Sequence, residues 1–374
     1  MKKKKRGRGI LPIAAVFMLF AVIIRLFSEG KMQERTMEYI DKLSENEEFF
    51  RLAVSGETQY VRKDEDKEIL KFLASEIAIL QSEDRAEEIS SPPKRENLVV
   101  WEYTPGGERR ANTYPIENIT ISPSSDKGYV RYENIWVKND STKGIDLKWL
   151  LSAKLPFKLN GDGPHVLIVH THGSECYFPQ GREDYTLTDV ERTSDKNYNM
   201  IRIGDELTKV LEANGISVIH DRNIYDSPSY NGSYTRTLDA IGKALKKNPS
   251  IKVVIDVHRD AMTASDGTKY RTVANINGKQ CAQMMLVMST GESGLPHPDW
   301  AENLKLAVKL QNAMQEKYKN IMRPMNLRKE RFNMHATRGS MLIEVGTSAN
   351  SVGEAIESVK LLGPELAAIL KTAK

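Results

Sequence analysis

From about residue 161 to the C-terminus the sequence predicts an α/β domain, a mainly parallel sheet with helices on both faces. Strand and helix patterns alternate along this region, which is the signature of crossover-connected strands. The strands read as short, continuous apolar runs, such as Val166-Leu-Ile-Val169 and Val253-Val-Ile255, as expected for strands covered on both faces. Three of these runs deliver a histidine or a carboxylate at or near their C-terminal ends: His170, His172 and Glu175 on the first, His258 on the second, and Glu344 in Met341-Leu-Ile-Glu-Val-Gly-Thr347 on the third. In an open α/β sheet, ligands bind at that edge.

The N-terminus sets the compartment. Lys2 to Arg6 and Arg8 place six positive charges ahead of Ile10–Leu26, an apolar run broken only by Arg25. The run is at the short end for a spanning helix and long for a signal-peptide core. No small-x-small cleavage site follows it, so a retained signal anchor is expected, with residues 1–8 as a cytoplasmic tail and 9–27 in the membrane. The charge asymmetry puts everything after the anchor outside the cell membrane. The formal net charge is +4, so the chain beyond residue 8 carries a net −2. Its basic balance is thus a topology signal, with no basic stripe to suggest nucleic-acid binding.

Residues 28–160 read as a stalk and accessory region. In 66–80, Ile69, Leu70, Leu73, Ile77 and Leu80 fall on one helical face, and Ser90-Ser-Pro-Pro-Lys94 breaks the pattern. Residues 98–103 and 129–137 are strand candidates. From 161 onward the predicted order is strand 166–170, helix 198–212 stopped by Asn214-Gly215, strand 216–220, helix 235–247, strand 251–257, strand 283–289, helix 301–318, strand 341–345 and helix 353–372. Cys176 and Cys281 are the only cysteines; the sequence leaves open whether they pair, and two cysteines cannot form a Cys-type zinc cage. Cys176 near His172 raises a thiol nucleophile, but nothing marks a base and an orienting group for it.

Two imidazoles and several carboxylates converging at a sheet edge suggest a hydrolytic zinc (Zn2+) site with an open coordination position. At this point the motifs His170-Thr-His-Gly-Ser-Glu175, Asp195-Lys-Asn-Tyr-Asn199 with Arg202-Ile-Gly-Asp-Glu206, Asp256-Val-His-Arg-Asp-Ala261, and Ile343-Glu-Val-Gly346 with Asn350 resemble, in order and spacing, the stage II sporulation protein P family. The resemblance covers roughly the last 210 residues. It implies a peptidoglycan hydrolase of a spore-forming bacterium, acting at the sporulation septum during engulfment. Its catalytic domain would be similar to zinc-dependent N-acetylmuramoyl-L-alanine amidases, and cross-link endopeptidase activity is a further implication. It also implies partners in the same membrane, stage II sporulation proteins D and M.

The wider amidase pattern carries over residue by residue. His172 and His258 match the metal-binding histidines, and Glu344 matches the late glutamate that acts as general base. The carboxylate ligand stays open between Glu175 and Asp195, which stands where that pattern has Glu; Asp195 could equally be a helix N-cap. His170 reads as a structural neighbour of the ligands. Arg259 and Asn350, inside the matched motifs, and His335 are candidate substrate-binding residues. Arg323, Arg328, Lys329, Arg331 and Arg338 make a basic cluster that could hold stem-peptide carboxylates. Two other functions remain open from sequence: a different zinc wall-peptide hydrolase such as a carboxypeptidase, or a non-catalytic septal scaffold.

Overall fold

The computed structural model describes residues 113–373. The tail, the anchor and the helix and strand expected within 28–112 lie outside the described residues. Among the described residues no helix is long and apolar enough to cross a membrane.

In chain order the elements are β1 (Tyr114–Ile119), β2 (Val130–Tyr132), β3 (Ile135–Asn139), α1 (Leu147–Ser152), β4 (Val166–Val169), β5 (Asp184–Tyr185), α2 (Met200–Ala213), β6 (Val218–His220), α3 (Ser233–Lys247), β7 (Val253–Asp260), β8 (Lys269–Ile276), β9 (Lys279–Ala282), β10 (Met284–Ser289), α4 (Trp300–Lys317), β11 (Met325–Arg328), β12 (Met341–Thr347) and α5 (Val352–Lys371). Eight strands form one sheet in the order β2-β3-β11-β10-β12-β7-β4-β6, and four form a smaller sheet, β5-β1-β8-β9.

The larger sheet is mixed. β12, β7, β4 and β6 run parallel, as expected for strands joined by helical crossovers. β10 is antiparallel to β12, and β11 follows β10. The cause is local. No helix separates β7 from β10; instead β8 and β9 form a hairpin turned at Asn277-Gly278, both at positive φ. That is a two-residue turn of the kind that returns a chain antiparallel. Consequently the N-terminal ends of β10 and β11 share an edge with the C-terminal ends of β12, β7 and β4.

Residues 129–137, expected as one strand, form the β2–β3 hairpin, with Glu133 at φ 51° in the turn. Residues 113–160, expected with the accessory region, add β1 to the smaller sheet and β2 and β3 to the larger one. The sequence signal for this was weak because these strands are short and half-exposed.

β4 shows how the sheet is sandwiched. Val166 and Ile168 join the main core with residues of α2, α4 and α5, while Leu167 and Val169 pack with Ile241 of α3 on the other face. All four side chains are buried, each worth roughly 1.5–3 kcal/mol relative to exposure. A charge at any of them would leave the strand unable to seat. α2 is capped by Asn199, whose side chain accepts from the Ile201 amide. α5 opens on a capping box between Ser351 and Glu354.

Candidate active site

Parallel register brings the functional strands together. His258 of β7 lies directly beside Glu344 of β12, and Asp256 lies beside Val169 at the end of β4. Alternation along β7 puts Asp256 and His258 on the face that carries α3. The turn after β4 then folds His172 onto the same side: its ring meets that of His258 edge-on at 5.1 Å between centroids. Glu175 completes the group, with Oε2 3.6 Å from His258 Nδ1. His172, Glu175 and His258 are 6%, 6% and 3% exposed, so their charges act on one another with little solvent between them.

The surroundings fix each side chain. Asp256 sits 2.9 Å from His258 Nε2 and accepts from both the amide and the hydroxyl of Thr171. Glu175 accepts from the Arg259 amide at 3.3 Å and faces Arg192 at 3.6 Å. His172 is stacked under Tyr230 (4.4 Å, 13°), flanked by Tyr234, and has Ser233 Oγ 3.5 Å from Nδ1. Arg192 lies over Tyr230 and is paired with Asp226 at 2.5 Å, which is itself bonded to Ser174.

Burial drives the titration behaviour. Burial pushes the His172 imidazole well below its ordinary value, so it is neutral. Burial also works against a charged His258, but Asp256 and Glu175 outweigh it and hold the proton on that ring. For Glu175, burial raises the pKa, and Arg259, His258 and Arg192 more than reverse this, keeping it a carboxylate. Glu344 is the exception. Burial, reinforced by Asp260 and Glu175, outweighs the downward pull of His258 and Arg323 and leaves it raised to about 8. Its Oε2 has no hydrogen-bond partner. A carboxyl group poised near neutral pH at a sheet edge has the character of a proton-transfer group.

The chemistry of the donor set suits a zinc ion: a neutral imidazole, a second imidazole and a carboxylate, all buried. His258 Nε2, although close to Asp256, has no aligned hydrogen-bond partner. Yet among the described residues no three His, Cys, Asp or Glu side chains stand as a ready coordinating cluster. The donors fit zinc by type, and binding it would require His258 and Glu175 to exchange contacts with each other for contacts with the ion.

A family model for stage II sporulation protein P matches residues 39–367. The chain belongs to this family. The stage II sporulation protein P of Bacillus subtilis (strain 168) is 27% identical over 210 residues, which is 53% of this chain and 49% of that protein, so the match spans about half the length of the curated relative. Among solved structures, the N-acetylmuramoyl-L-alanine amidase AmiC2 of Nostoc punctiforme is 12% identical, covering 56% of this chain and 97% of its own, with a TM-score of 0.31. The amidase Ami1 of Mycobacterium smegmatis is 12% identical over 56% and 97% of the two chains, with a TM-score of 0.33. The CwlD amidase of Clostridioides difficile, solved with the GerS lipoprotein, is 14% identical over 57% and 96%, with a TM-score of 0.33.

The structure gathers His172, Glu175, His258 and Glu344. Asp195 is placed differently: its carboxylate accepts from the Asn197 amide and side chain in its own turn, and the N-cap of α2 is Asn199. His170 bonds the Val257 carbonyl at 2.9 Å and His220 at 2.9 Å behind the sheet, so it braces β7 between Asp256 and His258. Arg259 is buried and spends its guanidinium on the Cys176 and Glu191 carbonyls. Asn350 is fully buried and is used up on Thr347, Thr272 and Glu354. The charged groups that bear on His335 are Arg331 and His297, and burial lowers its pKa to about 4. Cys176 and Cys281 are both free thiols, and burial pushes Cys176 up to about 12, unlike a nucleophile. The basic cluster is dispersed: Arg328 pairs with Glu330, Arg338 with Asp299, and Arg323 with Asp260.

Sequence reasoning missed Asp256, Tyr230, Tyr234 and Arg192. Asp256 was accessible, since a residue two before His258 on a strand shares its face. The other three come from loops or a helix start, where no periodicity announces them.

Proposed function

We propose that this chain is a peptidoglycan hydrolase of the sporulation septum. In this reading it is a zinc-dependent N-acetylmuramoyl-L-alanine amidase, held in the membrane by residues 9–27, facing the wall, and working with stage II sporulation proteins D and M. The observation that carries the reading is the side-by-side pairing of His258 with Glu344, closed by His172 and Glu175, in a member of this family. His172, His258 and Glu175 would hold the ion. When bound, zinc supplies a Lewis acid, an acidified water and a positive charge that lowers the pKa of a nearby carboxyl.

The protein's own groups do the rest. Asp256, anchored by Thr171, sets a carboxylate 2.9 Å from His258 Nε2 and favours positive charge on that ring. Arg259 and Arg192 keep Glu175 ionised. Tyr230 and Tyr234 shield His172 from water on two sides, which strengthens every charge interaction inside the site. Glu344, with an oxygen left unpartnered, takes a proton from the attacking water and hands it to the departing alanine amine.

Digestion of purified sacculi by the chain without its anchor (residues 28–374, the soluble domain) separates the readings. An amidase frees intact stem peptides with a new alanine amino terminus and leaves bare glycan. Shortened stems still attached to glycan would identify a carboxypeptidase, and undigested sacculi would favour the scaffold.

A further inference from the structure

The flipped strands put an arginine at the active edge. Arg323 precedes β11, and its amide bonds the Met284 carbonyl at the start of β10, 2.7 Å away. β10 lies next to β12, yet the Arg323 guanidinium meets Asp260 at the end of β7, at 2.7 Å. β12 lies between β10 and β7 in the sheet. The Arg323–Asp260 bridge therefore passes over the end of β12, just beyond Glu344. The backbone there makes room: the register shifts between Glu344 and Thr347, and Gly346 takes φ 72°.

Arg323 is 8% exposed, costly for a guanidinium, and Asp260 is the one ion partner of its side chain among the described residues. Nη1, although near Asp260, is not aligned for a hydrogen bond. An arginine carries five donors in a planar fork suited to a carboxylate. Asp260 meanwhile turns one oxygen back to the Ala261 amide. The ion pair thus places a buried guanidinium close to Glu344, in a site otherwise rich in carboxylates: Glu175, Asp256, Asp260 and Glu344.

We propose that Arg323 forms a carboxylate-binding subsite that recognises a free acid group on the stem peptide one or two residues beyond the scissile amide. This rests on the amidase reading. Extended peptide advances about 3.5 Å per residue, and adjacent strands lie roughly 4.8 Å apart. A carboxylate one or two residues beyond a bond aligned with Glu344 therefore comes within reach of a guanidinium anchored two strands away. Asp260 holds the fork in place between turnovers and disfavours a second anion elsewhere on the rim.

The test uses the soluble domain and two muropeptides that differ only in whether the α-carboxylate of the second stem residue is free or amidated. The unsubstituted domain should show a kcat/KM at least about tenfold higher for the free acid, the scale of one charge-assisted hydrogen bond. Arg323→Gln should erase the ratio mainly through KM, and Arg323→Lys should restore part of it. Because Arg323→Gln strands Asp260, Arg323→Gln/Asp260→Asn serves as the neutral pair and should also show a ratio near one. Calorimetry with the released peptides should show the same loss of preference without any turnover. An unchanged ratio in both Gln variants, or no preference in the unsubstituted domain, overturns the subsite while leaving the amidase reading intact. No cleavage of either muropeptide by the unsubstituted domain overturns both.

Discussion

Glu344→Gln isolates the energetic strain of the site from its chemistry. In the metal-free protein, burial raises the Glu344 carboxyl from 4.5 to about 8. The folded state therefore binds more protons than the unfolded state across that interval, and stability falls as pH rises from about 4.5 through about 8. Each pH step is worth at most about 1.4 kcal/mol. Glu344 keeps some contact with solvent, so the total is discounted to about 1–3 kcal/mol at pH 8. Gln keeps the shape and carries no charge, so the variant should be more stable by that amount. For a domain of this size the expected gain in Tm is about 2–12 °C. The assay is thermal unfolding in chelator at pH 5, 6, 7 and 8. The advantage of Gln should be small at pH 5 and grow steadily to pH 8, while hydrolysis falls by about 10² or more when zinc is restored. A Gln variant that is no more stable, or whose advantage does not change with pH, refutes the burial argument for Glu344.

Gly346 is at φ 72°, and a Cβ there would meet Asn350 Oδ1 at 2.7 Å and Ala282 at 2.9 Å; Gly346→Ala should cost about 1–3 kcal/mol in chemical denaturation and lower activity by shifting Glu344. Removing Glu175 should empty the metal site, whereas Asp195→Ala should leave zinc content near wild type and loosen only the turn before α2; metal analysis showing the reverse would reassign the ligand.

The legible parts of this chain were those with a period. β4, β7 and β12 stood out as apolar runs, and the residues gathered at the site, His172, His258 and Glu344, were read from the ends of those strands. The helices were placed within a few residues by their caps, as with Asn214-Gly215 after α2. What escaped was strand direction. Asn277-Gly278 is a strong hairpin signal, but β8 and β9 around it are mixed in burial, so the excursion that reverses β10 was not seen. The same reversal brought Arg323 to the site and carried Arg328 away from it. Glu175 lies 3.6 Å from His258 while Asp195 bonds within its own turn; which loop folds back toward His258 is a tertiary fact with no local signature.

In the proposed reading His172 and His258 act together at one ion. The most direct measurement is zinc content and wall-peptide release, taken on the same preparations of the soluble domain and of His172→Ala and His258→Ala. The expected result is about one zinc per folded domain, lost together with activity in both variants while their circular dichroism stays native. Retention of one equivalent of zinc in either variant, or full activity in a protein stripped of metal, would contradict it.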